Sequence, residues 1–146
     1  MSTPPHMSNE LEIAWAAGFW DGEGSAYIER VKRADGTKSP VLRLWLGQID
    51  PRPLERFARA VGTDRPVLGP YNHTHMCNLR FSAKAEVERV IELLWPYLGE
   101  AKREQIAQCR QAIEENTMLY QRGWRKRKAE RAGKEYRLAL TEAEAA

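Results

Sequence analysis

The chain is poor in cysteine: Cys77 and Cys109 are the only two in 146 residues. Two thiols do not make a disulfide scaffold, and reduced, partly buried cysteines fit a cytoplasmic protein. Long apolar runs are missing too. None approaches the roughly 20 residues of a membrane span, so no membrane partner is expected. The first ten residues, MSTPPHMSNE, lack the basic and apolar regions of a signal peptide. Lysine and arginine are absent from residues 1–24, which hold four acids. Hydrophobic residues are present at 42%, enough for the core of one domain, which excludes wholesale disorder.

The formal charge of +3 conceals zones of opposite sign. Residues 25–80 carry ten basic and five acidic groups, residues 81–120 five and seven, and residues 121–146 eight and four. Two basic zones are what a polyanion would feel, although a basic zone is also an ordinary solvated surface. Residues 1–9 read as a loose lead, 10–120 as one domain and 121–146 as a basic extension, partly helical or mobile.

Asn9 and Glu12 predict a helix cap, with the helix running through 10–21. Residues 25–33 and 40–49 predict two strands joined by an Asp-Gly turn. In the second strand Leu42, Leu44 and Leu46 alternate with Arg43 and Trp45, the pattern of a half-buried strand. Pro51 and Pro53 open a helix to about Val61. Residues 65–71 and 76–82 predict a second strand pair, followed by helices over 84–97 and about 101–118. The order α-β-β-α-β-β-α-α predicts an α+β layer, a sheet backed by helices. His73, His75 and Cys77 are zinc-binding residue types, but their spacing matches no common zinc motif. They read better as an exposed hairpin loop and a structural cysteine.

The first helix carries the chemistry. Helical spacing places Ala14, Ala17, Gly18 and Asp21 on one face, small enough for another backbone to approach. Leu11, Trp15 and Phe19 form an adjacent stripe suited to a core. Asp21 and Glu23 sit at the helix C-terminus, where the dipole disfavours negative charge. A divalent cation would relieve that repulsion; an acidic turn ending an ordinary helix is the plainer reading.

The stretch Ala16-Ala17-Gly18-Phe19-Trp20-Asp21-Gly22-Glu23-Gly24-Ser25 resembles the signature of the LAGLIDADG homing endonucleases. Ala16 replaces the leading Leu and Trp20 the usual Ile or Val; the acids are retained. The resemblance covers roughly residues 10–118. It implies an αββαββα fold with a curved four-stranded antiparallel sheet, and a site-specific double-strand DNA endonuclease. It also implies Mg²⁺ (or Mn²⁺) held by Glu23 with help from the Gly22 carbonyl. Glu23 stands where many members have Asp, but remains a hard oxygen ligand. Gln48 matches a residue that orients the attacking water. Lys102, in a Lys-x-x-Gln context with Gln105, matches a charge-stabilising lysine; Arg52 and Lys84 are further candidates. With one motif per chain, two strands are cut by a homodimer packed through Ala14, Ala17, Gly18 and Asp21 on a long pseudo-palindromic site. The alternative is an inactive DNA-binding protein or RNA-splicing cofactor on the same scaffold.

The outer sheet face would then meet duplex DNA. Tyr27, Glu29, Arg33, Arg43, Trp45, Asn78 and Arg80 are the candidates for base edges, the arginines suiting guanine, Asn78 adenine and Glu29 cytosine. Each is equally readable as a solvated surface side chain. Arg30, Lys32, Lys38 and the 122–128 cluster, including Arg125 and Lys126, are candidates for phosphates.

Overall fold

The computed structural model describes residues 9–145, with the side chains of 117–128 and 145 outside the described set. Arg125 and Lys126 therefore lie outside the described residues. The elements run α1 (Asn9–Glu23), β1 (Gly24–Lys32), β2 (Lys38–Gln48), α2 (Pro51–Val61), β3 (Cys77–Phe81), α3 (Lys84–Leu94), a 3-10 turn (Trp95–Tyr97) and α4 (Glu100–Ala145).

β1, β2 and β3 form an antiparallel sheet in that order, with Gly24 opposite Leu46 and Leu46 opposite Leu79. One face carries Ala26, Leu42, Leu44, Leu46, Cys77, Leu79 and Phe81, all buried. Against it pack Ala16, Ala17 and Trp20 of α1, Leu54, Phe57, Ala58 and Val61 of α2, and Val87, Val90, Ile91 and Leu94 of α3. An aromatic path crosses this layer: Trp15 stacks on Phe19 at 5.2 Å, and Phe57 joins Phe19 to Phe81 at 6.2 Å each.

Local chemistry sets the boundaries. Asp50 caps α2 by accepting the Arg52 amide at 3.0 Å. Gly62 ends α2 in the left-handed region, φ 69°, where glycine carries no Cβ penalty. The Asp-Gly turn forms as expected: Gly36 takes φ 84°, and Asp35 accepts from the Thr37 amide and hydroxyl at 2.9 and 2.6 Å. Pro96 converts the end of α3 into the 3-10 turn.

The expected strand over 65–71 is absent; only Leu68 bridges to Asn78, exchanging two bonds of 2.8 Å. Pro66 and Pro70 offer no N–H to a ladder, and Gly69 turns the chain at φ 102°. Arg65 and Thr63 bond instead to Glu86 of α3, at 2.6 and 3.2 Å. The described sheet thus has three strands and one isolated bridge. The last helix is also longer than expected, running unbroken from Glu100 to Ala145. Among the described residues no helix is long and apolar enough to cross a membrane.

The buried stripe of α1 is rotated by one residue from expectation. Ala16, Ala17 and Trp20 face the core; Trp15 and Phe19 are half-buried, and Leu11 is 56% exposed. A large indole at 20 fills the space beneath the sheet's end, so the helix turns that side inward.

Candidate functional site

α1 runs straight into β1, so Glu23 is the last helical residue and Gly24 the first of the strand. Gly24 is required by packing, since a Cβ there would lie 2.0 Å from Cδ1 of Trp20. Trp20 in turn lies under the ammonium of Lys102, 5.4 Å from the ring centroid. Lys102 donates to the Gly24 carbonyl at 2.5 Å. The sequence candidates Glu23 and Lys102, 79 positions apart, are thereby brought together through Gly24, the residue after Glu23.

α4 continues this attachment along the outer edge of β1. Gln105 accepts from the Ala26 amide at 3.2 Å, and Cys109 donates to the Ala26 carbonyl at 3.8 Å. Lys102, Gln105 and Cys109 sit at i, i+3 and i+7, one helix face. That spacing was the available signal for the clamp, which sequence reasoning did not extract. Burial pushes the Cys109 thiol up.

The two acids of the motif part company. Asp21 accepts from the Gly99 amide with both oxygens, at 2.9 and 3.2 Å, and so ties α1 to the start of α4. That engagement, with only partial exposure, takes Asp21 away from the proposed partner face. Glu23 is exposed and accepts no hydrogen bond from the described residues. Gln48 ends β2 opposite Cys77, two residues beyond the Leu46 that faces Gly24, and so stands at the same end of the sheet as Glu23. Among the described residues no three His, Cys, Asp or Glu gather as a metal cluster. His73 and His75 are exposed while Cys77 is buried, its Sγ directed to the Ile49 carbonyl.

Of the residues expected on a packing face, Ala17 is fully buried in its own core. Gly18 and Gly22 are exposed, and a Cβ at either would meet nothing within 4 Å. Leu11, half-buried Ala14, Gly18 and Gly22 therefore share the open side of α1.

The opposite sheet face carries Tyr27, Glu29, Arg43, Trp45, Asn78 and Arg80, as alternation predicts. Arg43 and Arg80 are not independent: Glu29 accepts from both, at 2.7 Å each. Arg43 also donates to the Ser82 carbonyl. The Arg80 and Arg43 guanidiniums hold the Glu29 carboxyl below its ordinary range. Trp45 folds along the strand over Gly47, where a Cβ would lie 2.2 Å from its ring. Lys32 and Lys38 pair at the hairpin tip beside exposed Arg33.

Other basic candidates are placed elsewhere. Arg30 turns to the helix side, where both its terminal nitrogens can donate to Asn116, at 2.9 and 3.0 Å, when that amide is turned to face it with its oxygen. Its even position in β1 gives it the parity of Ala26, away from the open face. Arg52 folds back on Asp50 at 2.6 Å. Lys84 lies at the first turn of α3, in a cleft of about 400 Å³ with Arg33, Ser82 and Arg110 and away from Glu23.

An acid-tipped helix, an antiparallel sheet with a charged open face and flanking helices define a class of fold, that of the LAGLIDADG homing endonucleases. The chain aligns with I-CvuI, solved in complex with the I-CreI target in the presence of 2 mM Mg. That alignment has a TM-score of 0.58 and 22% identity over 73% of this chain and 66% of that one. It aligns with I-CeuI complexed with DNA at a TM-score of 0.61, 18% identity, over 82% and 61%. For I-TnaI the TM-score is 0.57 with 21% identity, over 76% and 74%. No protein-family model matches the chain, and no curated protein matches it in sequence.

Proposed function

We propose that the protein is a site-specific, divalent-metal-dependent DNA endonuclease that works as a homodimer. The observation that carries this reading is the Glu23 junction: an exposed carboxylate on the helix tip, beside an anchored lysine, in a fold shared with DNA-bound nucleases. Glu23 supplies a hard oxygen ligand that fits Mg²⁺. One carboxylate does not enclose such an ion, so the residues present fit a site completed by a second Glu23 and by DNA phosphates. Bound there, the metal would supply charge for the phosphoryl transition state.

The chain's own groups divide the remaining work. Gln48, at the same sheet end, hydrogen-bonds and orients the attacking water. Lys102 places positive charge where negative charge develops on the phosphate, held in position by Gly24 and Trp20. The hydrolysis adds water across one phosphodiester bond on each strand.

Gly18 supports the dimer. A glycine inside a helix costs about 1 kcal/mol relative to alanine. Within the protomer nothing contacts its missing Cβ. Close approach of a second α1 explains it, through Leu11, Ala14, Gly18 and Gly22, bringing two Glu23 tips together about a two-fold axis.

The test is a pooled library of partially palindromic duplexes incubated with the full chain and Mg²⁺ or Ca²⁺, followed by sequencing of cut and retained DNA. Double-strand cuts at one two-fold site with Mg²⁺, lost in Glu23→Gln while binding persists, are expected. Undiminished cutting by Glu23→Gln overturns the assignment. Selective retention without cutting makes the protein a DNA-binding module.

A further inference from the structure

The triad on the open sheet face divides labour among its three side chains. Glu29, Arg43 and Arg80 come from three different strands, one each from β1, β2 and β3. A single oxygen of Glu29, Oε2, accepts from Arg43 Nε and from Arg80 Nη2, both at 2.7 Å. Arg43 is further committed through Nη1 to the Ser82 carbonyl, and its side chain is only 15% exposed. Arg80 is 42% exposed. Besides Glu29 it meets only Tyr27 among the described residues, standing 6.0 Å over that ring and in reach of its hydroxyl. A guanidinium has five N–H groups, so one held by Glu29 and Tyr27 keeps donors for the N7 and O6 acceptors of guanine in the major groove.

We propose that Arg80 is a guanine reader, that Glu29 is the positioning residue that fixes its fork, and that Arg43 is the strut of the unit and reads no base. This rests on the reading that the sheet face meets duplex DNA. It goes beyond that reading by separating the roles of three residues that alternation alone makes equivalent, leaving guanine to Arg80 and withdrawing it from Arg43. The carboxylate also offsets one of two closely spaced cations. Its removal leaves a more positive and less directed surface, which favours phosphates over bases.

The experiment is binding-site selection from a random duplex pool in Ca²⁺, with the full chain and its variants, scored base by base at two salt concentrations. The wild type is expected to select one guanine per half-site whose preference disappears in Arg80→Ala. Glu29→Gln is expected to weaken that same preference at least tenfold while retaining DNA binding, with a steeper loss of affinity on adding salt. Arg43→Gln is expected to remove no base preference of its own; Arg43→Lys is run beside it because losing the Ser82 contact can loosen β3. In the free protein, slow rotation of the Arg80 guanidinium by ¹⁵N NMR is expected in the wild type and lost in Glu29→Gln. Selective binding in which Glu29→Gln leaves the guanine preference intact overturns this inference alone. So does a base preference that depends on Arg43 and not on Arg80. Failure to bind any duplex overturns the proposed function and the inference with it.

Discussion

Trp20, Gly24 and Lys102 show how single residues make the candidate site. The indole occupies the space a Cβ at 24 would need, and the lysine caps both the ring and the carbonyl. Gly24→Ala is expected to displace Trp20 and release Lys102, seen as a red shift in tryptophan emission and loss of cleavage. Lys102→Met keeps the stem over the ring but removes the ammonium. It is expected to reduce the cleavage rate more than DNA affinity, measured by single-turnover kinetics against equilibrium binding. The two acids, indistinguishable as residue types, separate by partner: Asp21 serves the Gly99 amide and Glu23 remains open. Sequence resemblance had already assigned the metal role to Glu23. The structure adds that the Gly99 amide already engages both Asp21 oxygens.

Among the elements, α2 is closed most explicitly at both ends. Asp50 holds the Arg52 amide and guanidinium, and Arg89 from α3 donates to the Val61 carbonyl at 2.6 Å. Hydrogen bonds from the Arg52 side chain and amide bring the Asp50 carboxyl down to about 2. Its folded pKa lies below its unfolded one. Its stabilisation is therefore complete above the ordinary carboxylate range and is lost as pH falls through about 2. Urea melts of wild type and Asp50→Asn are expected to differ near neutrality and to converge as pH approaches 2. β1 is an edge strand whose first outward groups, at Gly24 and Ala26, are taken by α4. Cys109, on that clamp, is expected to react with thiol reagents far more slowly in the native protein than in urea. The missing strand at 65–71 is the instructive departure. Its apolar residues suggested pairing, but two prolines and an ion pair to Glu86 left only the Leu68 bridge.

For the whole molecule, α1 is the element on which the proposal turns, buried on one side and open on the other. Gly18→Ala is expected to stabilise the isolated protomer by about 1 kcal/mol through helix propensity. Gly18→Leu is expected to abolish the dimer, by sedimentation, because the larger side chain holds two helices apart. A monomeric wild type bound to DNA would remove the two-fold arrangement. Leu44→Ala, at the centre of the sheet's buried face, is expected to cost about 2–5 kcal/mol, read from denaturant unfolding.

The sequence by itself determined the α+β class, the alternation of β2, the hairpin turn, the start of α2 and the acidic motif. These follow from periods, caps and turn residues separated by only a few positions. Tertiary structure alone decided which side of α1 is buried, which acid is free, how many strands form and which arginines share a carboxylate. Each of those depends on residues tens of positions apart that compete for one space or one hydrogen bond, and the chain reveals the winner only when it is packed.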